Sequence, residues 1–264
     1  MKKQTFLHDG LEFIYYQTGS GELDILIQHG YSDSALCWGP LPEDLGKHYH
    51  VTLMDARGHG ESAKPDFGYD LTCMAKDMLA LLNHTGMKKP IIIGHSMGGS
   101  LAAHLAALEP ERLGGAVLID PGFRTRTDDQ RLAAMADLHK EMNAIKQMST
   151  EGVAEYIRSK HPDWEEHFVN PSARAKLQMS TRVVDIFRTI DATWQDDLKK
   201  AICPMLLITA DESAGAIVSE ETRTLIKTRH PNVKILHIPG AGHSIQREKY
   251  SEVLQGILNF IRSL

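Results

Sequence analysis

The sequence predicts an α/β fold in which a mostly parallel eight-stranded sheet is flanked by helices, with a helical segment inserted after the sixth strand. Three observations carry this expectation. Short apolar runs ending in Gly or Asp alternate with longer stretches of helical period, the rhythm of parallel strands joined by crossover helices. At 264 residues the chain is long enough to bury one large core but short for two independent domains. Between Pro121 and Lys200 the alternation stops, and a Met- and charge-rich stretch with no convincing strand reads as several helices.

Taken in order, Gln4 to Leu7 and Leu11 to Gln17 flank an Asp9-Gly10 pair, the chemistry of a tight hairpin turn. Further strands are expected at Asp24 to Gln28, His50 to Asp55, Pro90 to Gly94, Gly115 to Asp120, Met205 to Ala210 and Val233 to Ile238. Helical spacing of apolar residues marks Leu71 to Leu82, Met97 to Glu109, Glu220 to Arg229 and Ser251 to Ile261. The chain therefore divides into a core of residues 1–120 and 201–264 and a helical cap of residues 121–200.

Charge and composition exclude several function classes. A formal net charge of -5 with no long Lys/Arg run lacks the electrostatic footprint of a nucleic-acid binder. No window approaches the roughly 18 consecutive apolar residues of a membrane span, so no membrane partner is expected. Met1 to Phe6 has two lysines but runs into His8-Asp9-Gly10 without an apolar stretch, and Cys37, Cys73 and Cys203 are odd in number and widely spaced. These features predict a cytoplasmic protein without a disulfide framework. The oligomeric state stays open between monomer and homodimer.

Chemistry concentrates in three loops. Ile91-Ile92-Ile93-Gly94-His95-Ser96-Met97-Gly98-Gly99 places G-x-S-x-G directly after an apolar strand and before a small-residue helix. A serine on so sharp a turn adopts strained backbone angles, and glycines two positions either side avoid the clash. The helix that follows points its N-terminal partial positive charge at the serine. Ile25-Leu26-Ile27-Gln28-His29-Gly30-Tyr31 is a second strand that runs into a glycine loop. Near the C-terminus, Ile238-Pro239-Gly240-Ala241-Gly242-His243-Ser244 sets a histidine in a glycine-rich loop between strand and helix. Of fourteen histidines, only His243 combines such a loop with a position after the serine. His29 and His95 are expected to serve packing and hydrogen bonding.

With these motifs the chain resembles the α/β-hydrolase superfamily. The resemblance implies Ser96 as nucleophile, His243 as base, and the backbone N–H groups of Tyr31 and Met97 as the oxyanion hole. Asp55-Ala56-Arg57-Gly58-His59-Gly60-Glu61-Ser62 is similar to the superfamily's turn after the fourth strand and is given a shaping role. The superfamily's usual acid follows the seventh strand, where Thr209-Ala210-Asp211-Glu212-Ser213 puts Ser213 at the corresponding place and Asp211 two residues early. Some members, zearalenone-type lactone hydrolases among them, carry the acid after the sixth strand instead, where this chain has Asp120. Asp120 is therefore the expected acid, with Asp211 the alternative.

The chemistry implied is acyl transfer by a serine hydrolase cleaving a carboxylic ester or lactone of a small to medium apolar substrate, with no cofactor or metal. Ser96 argues against haloalkane dehalogenases and most epoxide hydrolases, which place Asp at the elbow. The histidines and acids between His161 and His167 lack H-E-x-x-H spacing and read as a solvated helix edge, while Trp164, with Tyr156, Ile157 and Phe187, must cover the core or a bound substrate. Arg124, Arg126 and Arg131 read as a solvated charged face beside Asp128 and Asp129. Two other classes stay open on the same scaffold: a cofactor-free enzyme such as a dioxygenase, and a ligand receptor.

Overall fold

A computed structural model describes residues 1–264. Strands β1 (Lys2–His8) and β2 (Leu11–Thr18) form the hairpin, closed by Asp9 and Gly10 with φ of 49° and 74°. Two consecutive positive φ values match the twist of the strands they join, which is why Asp-Gly suits the turn. Strand β3 (Asp24–Gln28), helix α1 (Leu41–Gly46), β4 (His50–Met54), α2 (Leu71–His84), β5 (Ile91–His95), α3 (Met97–Leu108) and β6 (Gly115–Ile119) complete the first part of the chain. The second part holds β7 (Met205–Thr209) and β8 (Val233–His237). All eight expected strands are present, several ending one residue early because the chain turns out of the sheet there.

The strand order is β1-β2-β4-β3-β5-β6-β7-β8, antiparallel across the first two pairings and parallel elsewhere. Both faces are buried. Leu26, Ile92, Leu118 and Leu207 face one core, with α2 and α3; Ile25, Ile27, Ile93, Ile119 and Ile208 face the other, with α1. This period-two division explains why the central strands are apolar throughout and not alternating.

Between β6 and β7 lie α4 (Asp128–Ile145), α5 (Thr150–Lys160), α6 (Glu166–Gln178), a 3₁₀ segment Thr181–Arg188 and α7 (Trp194–Lys200). Thr127 and Gln130 form a reciprocal capping box that starts α4, and Ser149 caps α5. Much of the segment's apolar content packs internally: Ile145, Val153, Ala154, Val169 and Ala173 form one cluster, and Met135, Met142, Met179 and Val183 another. Its end rejoins the main core through Trp194, stacked on Phe123 at 5.1 Å, and Leu198. Helices α8 (Glu220–Arg229), α9 (Ile245–Glu248) and α10 (Tyr250–Arg262) follow β7 and β8, α10 packing on the α1 face. No helix is long and apolar enough to cross a membrane.

Candidate active site

Ser96 occupies the turn between β5 and α3 with φ 52° and ψ -115°, a conformation that costs a non-glycine residue about 1–3 kcal/mol. The surroundings hold it there. Its N–H donates to the Ile119 carbonyl of β6 at 2.9 Å, and its carbonyl accepts the Ser100 N–H at 3.1 Å. A Cβ on Gly94 would lie 2.2 Å from the Gly98 carbonyl oxygen, and one on Gly98 would lie 2.1 Å from the Gln28 oxygen. Both glycines are therefore required by backbone crossing backbone.

His243 lies in the loop between β8 and α9 and donates from Nδ1 to Asp120 Oδ2 at 2.6 Å. Asp120 immediately follows β6, is fully buried and has a φ of 39°. Its Oδ2 also accepts the Ile217 N–H at 2.7 Å, and its Oδ1 the Val218 N–H at 2.9 Å. Asp211 does not meet His243. It accepts the Gly240 N–H at 2.7 Å and pairs with His237 at 3.1 Å; the amide first, then the imidazole, holds its carboxyl below the ordinary range. Ser213 is exposed in a 3₁₀ turn spanning Glu212–Ala214. With Nδ1 donating to a carboxylate, the neutral imidazole keeps an acceptor at Nε2. Ser96 and His243 line one cavity but make no hydrogen bond to each other in this structure, a spacing common before substrate tightens such a pair.

The loop after β3 approaches the elbow closely: a Cβ on Gly30 would stand 3.4 Å from Ser96 Cβ. The Tyr31 N–H has no partner within the protein, and Met97 is the first residue of α3, where intrahelical carbonyls are not yet available. Three histidines brace this region. His29 bonds the Gly30 carbonyl through Nδ1 at 2.8 Å and accepts the Ala56 N–H at 3.1 Å. His59 is fully buried between two carbonyls, Tyr31 O at 2.6 Å from Nε2 and Arg57 O at 2.9 Å from Nδ1, and so ties the oxyanion loop to the turn after β4. His95 donates from Nε2 to the His243 carbonyl at 2.9 Å; burial first, then its neighbour His243, lowers it to about 3. Asp55 accepts the Ala35 and Glu61 N–H groups at 2.8 and 3.0 Å, so the Asp55 to Ser62 turn shapes the loop that carries Tyr31. The His59 link to Tyr31 was not legible as a site feature; the Gly-His-Gly context was its only signal.

A cavity of about 560 Å³ opens above Ser96 and His243. Tyr31, its ring 4.9 Å from that of Phe187, lines it together with Phe187, Tyr156, Ile157, Trp164 and Lys176 of the inserted segment. The cavity wall is mixed, with more apolar than polar surface, and Asp33, Lys160, Lys176 and Arg247 stand in it. One expectation is corrected here. Asp163, Glu165, Glu166 and His167 are exposed as expected, but His161 is not: it stacks on Trp164 at 4.0 Å in the α5–α6 loop and both line the cavity, with Arg247 4.4 Å over the indole. Arg126 and Arg131 pair with Asp191, away from this cavity, and Arg124 lines a separate one. No cluster of three or more His, Cys, Asp or Glu side chains is placed to hold a metal.

Comparison with known proteins agrees with this architecture. Residues 25–255 match the model of the alpha/beta hydrolase family. The chain is 24% identical to 2-(acetamidomethylene)succinate hydrolase of Mesorhizobium japonicum, covering 93% of this chain and 90% of that protein. It is 28% identical to esterase YbfF of Escherichia coli, covering 90% and 92%. A solved structure of E-2-(acetamidomethylene)succinate hydrolase superposes with a TM-score of 0.83 over 99% of both chains at 22% identity. A family match over most of the sequence, a sheet in the matching order and a strained serine at the β5–α3 turn together mean that this chain belongs to the alpha/beta hydrolase family.

Proposed function

We propose that this protein is a serine hydrolase that cleaves a carboxylic ester or lactone through an acyl-enzyme on Ser96, with His243 as base and Asp120 as the acid. The observation that carries the reading is the 2.6 Å bond from His243 Nδ1 to a buried Asp120, which leaves Nε2 free to take a proton in the cavity where Ser96 stands. Hydrolase and esterase names among the relatives support the reaction class.

In this mechanism His243 Nε2 takes the Ser96 hydroxyl proton as Oγ attacks the substrate carbonyl. The Tyr31 and Met97 amides hold the developing oxyanion, each worth about 10² to 10³ in turnover. The resulting imidazolium is stabilised by the Asp120 carboxylate and protonates the leaving oxygen. Water, activated by the same histidine, then releases the acyl group. Residues 121–200 act as a lid whose helices α5 and α6 cover the reacting centre and set the shape of the substrate. Ser96→Ala is expected to abolish both labelling by a fluorophosphonate probe and turnover of short-chain aryl esters; labelling that survives the substitution sinks the assignment.

A further inference from the structure

The cavity wall contains buried polar groups that the acyl-transfer chemistry does not use. Lys176, on α6, has Nζ bonded only to Ser32 Oγ at 2.8 Å, and no carboxylate lies within 4 Å of it. Two of its three N–H donors are therefore unspent. Ser172, one helical turn earlier on the same face, is 1% exposed, and its Oγ has no partner. Arg247, with a side chain 4% exposed, gives NH2 to Asp33 Oδ2 at 2.8 Å while its buried Nε is unpartnered. All three residues line the cavity that holds Ser96. A buried donor left unmatched typically costs about 1–3 kcal/mol, and two such atoms, Ser172 Oγ and Arg247 Nε, beside a lysine with donors to spare suit an acceptor-rich ligand.

The charges nearby indicate its sign. Burial would raise Asp33, but Arg247 overrides burial and brings the carboxyl to about 2, so that ion pair is complete and internally neutral. Glu141 is exposed and accepts from Tyr156, and Glu248 accepts the Gly242 N–H. The partly buried Lys176 ammonium has no carboxylate within ion-pair distance, only the longer-range fields of Asp33 and Glu141, and desolvation lowers its affinity for the proton. Its single partner, Ser32, directly follows Tyr31, so the cation lies beside the loop proposed to hold the oxyanion.

Resting on the serine-hydrolase reading, we propose that Lys176, with Ser172 and the Nε of Arg247, binds a carboxylate of the substrate. The preferred substrate is then an anionic ester or lactone that carries a free carboxylate beside the reacting carbonyl. Lys176 is a specificity-determining residue in this proposal; it does not touch the reacting atoms.

The test uses matched substrates: an aryl monoester of succinate or glutarate with a free carboxylate, and the same compound capped as its methyl ester. The native protein should favour the anion in kcat/KM, and Lys176→Met should lower that preference by a factor on the order of 10², mostly through KM. Lys176→Arg keeps the charge and should restore part of the preference. A native protein that favours the capped ester, or a Lys176→Met variant in which both rates fall together, overturns the proposal. A second arm requires no turnover. Calorimetric binding of the monoethyl ester of succinate and of diethyl succinate to Ser96→Ala should favour the monoanion, and Lys176→Met on that background should remove the difference. Equal affinity for the two esters overturns the carboxylate site whether or not Ser96 is a nucleophile; failure of fluorophosphonate labelling bears only on the hydrolase reading.

Discussion

Replacing Asp120 with Asn separates the carboxylate's charge from its geometry. Three donors converge on the side chain: His243 Nδ1 and the Ile217 N–H on Oδ2, and the Val218 N–H on Oδ1. An Asn with its oxygen toward His243 keeps two of these bonds and sets its NH₂ against one amide. The flipped amide would oppose two donors, so the first orientation wins and the Nδ1–H tautomer survives. Asn also tolerates the positive φ of 39° better than other neutral residues. What is lost is charge: at about 4 Å and an effective dielectric near 20, carboxylate and imidazolium attract by about 4 kcal/mol. That corresponds to a fall in kcat/KM of about 10³, less than the roughly 10⁴ of a triad that also loses its tautomer. The unmatched Val218 amide should cost about 1–3 kcal/mol of stability. Kinetics on a short-chain aryl ester together with urea unfolding read both quantities. A fall of under tenfold, or an equal fall in Asp211→Asn, would refute Asp120 as the acid.

Two predictions concern stability. A Cβ on Gly98 meets the Gln28 carbonyl oxygen at 2.1 Å, a backbone atom with nowhere to move, so Gly98→Ala should destabilise by about 3 kcal/mol or more in urea unfolding. Gly86→Ala, at φ 75° with nothing within 4 Å of its Cβ, should cost only about 1–2 kcal/mol; equal losses would contradict the steric account. Burial first, then His243, lowers His95 to about 3, below the unfolded histidine value of about 6.5. The unfolded chain therefore binds its proton first, and stability is fully present above about pH 6.5 and lost as pH falls toward 3. The slope is up to about 1.4 kcal/mol per pH unit. Unfolding free energies of the native protein and His95→Gln with the same slope between pH 7 and 4 would show that this ring is not held neutral.

The strands and the serine elbow were legible because their causes are local. Ile91 to Ile93 must be apolar to lie between two helical layers, and Gly94 and Gly98 must be glycine because backbone crosses backbone there. The partner of His243 was not local. Asp120 and Asp211 both end an apolar strand, and only the spatial order β6-β7-β8 and the path of the loop from Asp211 to Val218 decide which carboxylate the β8–α9 loop meets. The polar part of the cavity wall was equally hidden. Ser172 and Lys176 sit in a helix with mixed polar composition, where a serine and a lysine four apart read as solvent-facing, until α6 is laid over the carboxyl ends of the strands. His161 misled in the same way, since its charged neighbours in sequence hid its stack on Trp164.

The position of Asp120 follows from how the sheet divides its labour. β5 and β6 are adjacent, with His95 paired to Ile119, so Ser96 and Asp120 leave neighbouring strands at the same level. Both turn out at positive φ, 52° and 39°, and Ser96 N–H is fixed on the carbonyl of Ile119, the residue before Asp120. Asp120 N–H is in turn fixed on Ile208 of β7. The stretch after β7 then supplies amides in place of an acid: Ile217 and Val218 donate to both oxygens of Asp120, while Asp211 turns back to Gly240 and His237. Moving the acid to Asp211 would therefore strand two buried N–H groups and leave Asp120 without its reason for strain. The carboxylate after β6 and the donor loop after β7 form one device, and a functional swap between them requires rebuilding both.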